Sequence, residues 1–170
     1  MQQCATIDTS SPIYSKFLEM LPQPHLELWY IMVDTGLRLS DALRLRRCDC
    51  IDGAIIIESK TKKPKTLHLH APVSWAGDKT WLFPSPRAGT DKPLSRSGVE
   101  RIYKRAAAAA GIKGTVNAHT ARKIYAQDIY QRSRSLAATQ RALQHRYAST
   151  TLLYLYGSPK VTSTGEVINP

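Results

Sequence analysis

At 170 residues, 42% of them hydrophobic and 22% charged, the chain is long enough for one domain with a sizeable core and too short for two full-sized ones. Lys plus Arg number 24 against 13 Asp plus Glu, a net charge of +11 spread along the sequence, which favours an extended polyanion as partner, nucleic acid ahead of a membrane surface. The three cysteines, Cys4, Cys48 and Cys50, form no disulfide framework and no zinc spacing, no apolar run approaches a membrane span, and MQQCATIDTSS lacks the pattern of a signal peptide, so an intracellular protein of a reducing compartment is expected.

Residues 1–11 read as a polar, turn-rich segment. Ile13, Phe17, Leu18 and Leu21 recur at a helical period, which predicts a helix from Pro12 to Leu21 stopped by Pro22 and Pro24. HLELWYIMVD predicts a second, more buried helix over 25–34, closed at Gly36. In TGLRLSDALRLR, Ser40 is the candidate N-cap with Leu43 and Leu45 turning inward. Arg38 then sits in the tight connection just ahead of a short helix, held by backbone on both sides. Asp41 can orient that guanidinium or cap the helix, and capping is the expectation.

From Ile51 the pattern turns to strands: IDGAIIIES is β-branched, TLHLHAP alternates Leu67 and Leu69 with His68 and His70, and KTKKPK lies between them. A small antiparallel hairpin with a basic tip is predicted. Lys60, Lys62, Lys63 and Lys65 lie on that tip as a solvated, phosphate-attracting cluster, with Lys60 set apart by its place at the strand end. His68 and His70 have no third ligand, so no metal site is expected. Residues 71–94 read as a loop-rich connection pinned by Trp75, Trp81, Leu82 and Phe83.

Ser95 or Ser97 can cap a helix through VERIYKRAAAAAG, whose Ala106–Ala110 run is a close-packing surface and whose Gly111 is the stop. A helix from about His119 to Tyr130 should bury Ile124, with Ala121 and Ile129 beside it. On it His119 and Arg122 are three residues apart and share a face, where an imidazole and a fixed cation can hold one phosphate; Lys123 adds a further cation for phosphate. Ser135 can cap LAATQRALQ, ending at His145, and Ser149 can cap TTLLYLY before Gly157 and Pro159. Residues 158–170 read as a flexible tail unless a partner subunit holds them.

Arg38 in TGLRLSDALRL, Lys60 in ESKTKKPKTLHL, His119 and Arg122 in HTAR, His145 in ALQHRYAS and Tyr154 in TTLLYLY occur in an order that resembles the catalytic domain of the tyrosine recombinases, the phage integrase family. The resemblance covers about residues 10–157, with His145 and Tyr154 at the family's spacing of nine and TGLRLSDAL matching its first box. Two departures stand out: Gln144 where the family usually has glycine before the third-box histidine, and Thr-Ala between His119 and Arg122 where an acidic-Leu pair is commoner. Neither removes a catalytic group.

The resemblance implies a mostly α fold with a small antiparallel hairpin (α+β), the DNA breaking-rejoining type, over residues 12–157. It implies attack of a tyrosine on a scissile phosphate, a 3′-phosphotyrosyl link and a free 5′-hydroxyl, with no nucleotide cofactor and no metal. Arg38 and Arg122 suit the non-bridging oxygens, because each presents a planar, permanently charged donor fork. Lys60 suits protonation of the leaving 5′-oxygen, His119 can accept the phenolic proton and His145 can donate to the phosphate. Among eight tyrosines, the family's spacing implies Tyr154 as the nucleophile; Tyr156 lies about 200° further round a helix of 3.6 residues per turn, and Tyr147 is too near His145 to match that spacing.

A separate helical DNA-clamping domain normally precedes this one in the family and is not in the sequence, so a catalytic fragment of a longer integrase is expected. The implied partner is double-stranded DNA, bound by a homo-oligomer, a tetramer in the full-length protein with a monomer the alternative for this isolated domain, and accessory DNA-bending proteins are a further expected class of partner. The implied function is site-specific recombination for integration and excision of a phage or mobile element, in a bacterial cytoplasm. The alternatives are nicking and relaxation of topoisomerase type, and a non-catalytic DNA-binding regulator on the same fold.

Overall fold

A computed structural model of the chain describes residues 4–49, 53–69, 80–87 and 91–169. Cys50, Ile51, His70 and Trp75, each given a place above, lie outside the described residues. The elements in chain order are β1 (Thr6–Ile7), α1 (Pro12–Glu19), α2 (His25–Thr35), α3 (Leu39–Ala42), β2 (Ile55–Ile57), β3 (Pro64–Thr66), α4 (Arg96–Ala110), α5 (Ala118–Ser133), α6 (Leu136–Leu143), α7 (Ala148–Leu155), β4 (Lys160–Val161) and β5 (Val167–Ile168). The fold is helical with the small antiparallel hairpin β2–β3, as expected, and has besides a three-stranded sheet, β1-β4-β5, that was not expected.

Aromatic packing joins the first two helices to α4. Phe17, Trp29 and Tyr103 are fully buried, with ring centroids 4.8 Å apart for Phe17 and Trp29 and 5.0 Å for Trp29 and Tyr103, both edge-on. Edge-to-face contact suits the ring quadrupoles. Ala106, Ala107 and Ala110 turn into this core, so the alanine run is a packing face. Leu82 and Phe83 are buried anchors of the connecting segment. Helix α5 runs through the centre, against α2, α6, α7 and β1.

Several ends follow the sequence. Gly36 closes α2 at φ +63°, Ser95 Oγ accepts from Gly98 N, and Ser135 Oγ accepts from Ala138 N. Others differ. Arg38, in extended backbone, takes the N-cap place of α3 and Ser40 lies inside the helix; Tyr147, without a side-chain cap bond, starts α7 in place of Ser149. In both cases a residue in extended backbone sets the entry, and the serine hydroxyl comes two positions late.

The two chain ends also differ from the polar segment and flexible tail expected of them. β1 pairs in parallel with β4, Thr6 opposite Lys160 and Ile7 opposite Val161, and β4 pairs antiparallel with β5. Ala5, Thr6, Ile7 and Val161 are buried, so apolar burial and a ladder order both ends within the same chain. Among the described residues no helix is long and apolar enough to cross a membrane.

Candidate active site

Helix α5 places the centre of the site. Asn117 caps it, its side chain accepting from His119 N at 2.9 Å while Thr120 Oγ1 accepts from Asn117 N at 3.3 Å. One turn later Arg122 is 1% exposed. Its Nη1 donates to Gly36 O and its Nη2 to Leu143 O at 2.5 Å, so the guanidinium ties the ends of α2 and α6 to α5. Gly36 is required twice: its φ is left-handed, and a Cβ there would lie 2.2 Å from Tyr125 Cδ1.

Arg38 and Arg122 share one carboxylate. Arg38 Nη1 lies 2.6 Å from Glu58 Oε2, and Arg122 Nη1 lies 3.8 Å from Oε1. Glu58 is wholly buried whereas Arg38 keeps 19% of its side chain exposed. Glu58 was not singled out in the sequence. The signal was there: Ile56 and Glu58 are two apart in a strand and share its inner side, whereas Ile55 and Ile57 turn outward, 68% and 63% exposed.

The hairpin pairs Ile55 with Thr66, Ile56 with Lys65 and Ile57 with Pro64. Lys60 is exposed at its turn, and both its neighbours are held. Asp41 Oδ1 accepts from Ser59 N at 2.9 Å and Ser59 Oγ at 2.5 Å; Thr61 Oγ1 lies 3.0 Å from Glu58 Oε2 and 2.7 Å from Gln144 Oε1. Asp41 therefore fastens the hairpin to α3 and does not cap the helix. Lys62 and Lys63 are exposed as expected.

Lys65 does not belong to the solvated tip. It lies in β3, 7% exposed, donating from Nζ to Ala142 O at 2.7 Å, with the Tyr125 ring centroid at 5.1 Å. Burial, then the Arg122 charge, pulls its ammonium down to about 8. Lys123 is buried too and donates to Cys4 O at 2.6 Å. Both ammonium groups have backbone partners inside the fold, so neither is part of the solvated surface expected to meet phosphate.

The third box follows α6. Gln144 is left-handed at φ 53°, ψ 39°, the conformation that makes glycine the usual residue here. His145 Nδ1 lies 3.1 Å from Thr151 Oγ1. Burial, and next Arg122, lowers His145 to about 4, and the same two causes lower His119. Tyr154 stands between them: its hydroxyl is 3.3 Å from His119 Nδ1 and within hydrogen-bonding reach of Arg122, and its ring meets that of His145 edge-on at 4.9 Å. Burial raises the Tyr154 phenol, while the charges of Arg122 and Arg38 oppose that rise.

The structure thus brings Arg38, His119, Arg122, His145 and Tyr154 together, with Lys60 on the adjoining hairpin. Tyr156 points elsewhere, its ring 6.1 Å from that of Tyr130. Glu58, Thr61, Thr151 and the Gly36 carbonyl were missed: Glu58, Thr61 and Gly36 meet partners 20 to 86 residues away, and Thr151 meets His145 across the turn between α6 and α7. Among the described residues no group of three His, Cys, Asp or Glu has the arrangement of a metal site.

The sequence pattern of the phage integrase family matches residues 5–159. The chain is 33% identical over 138 residues to the probable integrase/recombinase YoeC of Bacillus subtilis (strain 168), covering 75% of each. Its fold is similar to that of a lambda integrase dimer bound to a COC′ core site, TM-score 0.68 at 20% identity over 90% of this chain, and it spans 59% of that integrase chain. It is similar also to the catalytic domain of bacteriophage HP1 integrase, TM-score 0.63 at 19% identity, covering 91% of this chain and 89% of that one. With the family pattern running nearly end to end and a curated relative matched over three quarters of its length, the chain belongs to the phage integrase family.

Proposed function

We propose that the chain cuts and rejoins double-stranded DNA through Tyr154, as the catalytic domain of a site-specific recombinase serving a phage or other mobile element. The observation that carries this reading is the Tyr154 hydroxyl, 3.3 Å from His119 Nδ1 and beside the two arginines, Arg38 and Arg122, that meet on one carboxylate. A phosphate there meets two guanidiniums, which stabilise the charge that grows on its non-bridging oxygens. His119, with its pKa lowered, is neutral near pH 7 and can take the phenolic proton. His145 is neutral as well; its Nδ1 faces the Thr151 hydroxyl, and the tautomer in which that hydroxyl donates to Nδ1 leaves the proton on Nε2 for the phosphate.

Tyr154 Oη attacks phosphorus, its proton passes to His119, the P–O5′ bond breaks and Lys60 protonates the departing oxygen. The products are a 3′-phosphotyrosyl link and a 5′-hydroxyl. Attack by a 5′-hydroxyl of a partner strand reverses the step and completes exchange, so no nucleotide cofactor is consumed. The arginines supply the charge stabilisation a metal would otherwise give. Exposed Lys62 and Lys63 bind flanking phosphates, and a tetramer on DNA in the bacterial cytoplasm brings the strands together.

The test is covalent capture from a pool of nicked duplexes with randomised sequence, read as a DNA-shifted band on a denaturing gel in the presence of a chelator. Adduct formation by the wild type and by Tyr156→Phe, with none by Tyr154→Phe, is expected. An adduct that persists in Tyr154→Phe refutes the assignment.

A further inference from the structure

We propose that Gln144 is a positioning residue that latches the Lys60 hairpin onto the turn carrying His145; the proposal rests on the reading of Lys60 as proton donor to the leaving oxygen. Gln144 occupies a left-handed backbone position, φ 53° and ψ 39°, where a side chain is strained and glycine is at ease. What the side chain does there is bridge. Its Nε2 donates to Pro64 O at 2.9 Å, and its Oε1 lies 2.7 Å from Thr61 Oγ1. Both partners belong to the hairpin, Thr61 in its turn and Pro64 at the start of β3, 83 and 80 residues away in sequence.

The latch acts on Lys60 by adjacency. Thr61 follows Lys60 directly, and Ser59 on its other side is fixed to Asp41 through N and Oγ. The exposed Lys60 side chain therefore springs from a backbone pinned at both flanks, to α3 on one and to the third box on the other. Lys65, in β3, adds a second stitch to the same hairpin, through Ala142 O. Since His145 follows Gln144 in the chain, the bridge fixes the spacing between the proton donor and the histidine that meets the phosphate. A glycine at position 144 relaxes the backbone and leaves Thr61 and the Pro64 carbonyl without this partner.

Alignment of a proton donor matters only where the leaving group needs a proton. An alkoxide does; a thiolate, whose conjugate acid has a pKa of about 8.5, leaves unaided. The duplex captured with the wild type is therefore resynthesised with sulfur at its cleaved 5′-bridging position, and single-turnover cleavage of the oxygen and sulfur forms is compared for the wild type, Gln144→Gly, Gln144→Asn and Lys60→Ala. Asparagine tolerates the same backbone but falls a methylene short of both partners.

Misplacement of a catalytic group by about 1 Å costs up to roughly 100-fold, so both Gln144 variants should cleave the oxygen substrate about 10- to 100-fold more slowly. They should cleave the sulfur substrate within about twofold of wild type, and melt no lower, since both substitutions ease the left-handed backbone. Equal slowing on both substrates would overturn the latch in favour of a general structural role. Wild-type rates on both, with Lys60→Ala slowed on oxygen and rescued by sulfur, would overturn the latch and leave Lys60 as the acid. Lys60→Ala slowed equally on both substrates would remove the acid itself, and the latch with it.

Discussion

Replacing Glu58 with glutamine keeps the shape of the side chain and takes away the one charge on which Arg38 and Arg122 converge. Glu58 is wholly buried, 2.6 Å from Arg38 and 3.8 Å from Arg122. Removing one member of a buried ion pair costs about 3–5 kcal/mol, because the remaining charge is left uncompensated. The low end applies here: Arg38 keeps 19% of its side chain in solvent, and an amide oxygen can still accept one of its hydrogen bonds. A loss of about 3 kcal/mol against a slope of about 2 kcal/mol per molar urea moves the unfolding midpoint down by about 1.5 M. Chemical denaturation followed by circular dichroism measures this directly. Thr61→Ala, which removes a neutral neighbour of the same carboxylate together with one contact to Gln144, should move it by no more than about a third as much. If Glu58→Gln shifts the midpoint by less than about 0.5 M and forms the covalent adduct at the wild-type rate, the two arginines do not depend on this carboxylate.

Gly36→Ala should lower the melting temperature by about 6–12 °C, from about 3 kcal/mol of left-handed strain and overpacking at 2–4 °C per kcal/mol. The Cβ would meet the Tyr125 ring, and an unchanged melting temperature would show that the α2 to α5 contact is looser than described. Because His145 is lowered by burial to about 4, the folded state binds fewer protons than the unfolded state between pH 6.5 and 4. Stability is therefore at its fullest above about pH 6.5 and is lost as pH falls toward 4. His145→Gln should flatten that slope in urea midpoints taken from pH 7.5 to 4.5, and an unaltered slope would assign it to other groups.

The order of helices and the hairpin were legible because local chemistry specifies them. Gly36 and Gly111 end helices in the left-handed conformation, and Ser95 and Ser135 cap as their spacing suggests. The six proposed catalytic side chains were legible as an ordered pattern. What they rest on was not. Glu58 follows three isoleucines that read as core, yet two of them face solvent and the carboxylate faces inward. Lys65 sits among surface lysines in sequence, and only the approach of α6 gives its ammonium a carbonyl to hold. Asp41 had two plausible local duties and performs a distant one, on Ser59. Periodicity reports which face is buried, and says nothing about which polar partner waits there.

The parallel pairing of β1 with β4 joins residues 153 apart, with Thr6 donating through both N and Oγ1 to Pro159 O. A contact of such sequence separation carries the largest loop-closure cost in the chain and cannot nucleate folding. Loop-closure entropy places its formation after α1 through α7 have shortened the path between its strands, an expected late step of assembly. During synthesis the helices can collapse while β1 still waits for its partner to leave the ribosome. Tyr154 lies just ahead of that partner, so the helix of the proposed nucleophile is tethered at its far end only once β4 has met β1, and a chain interrupted before β4 leaves it untethered.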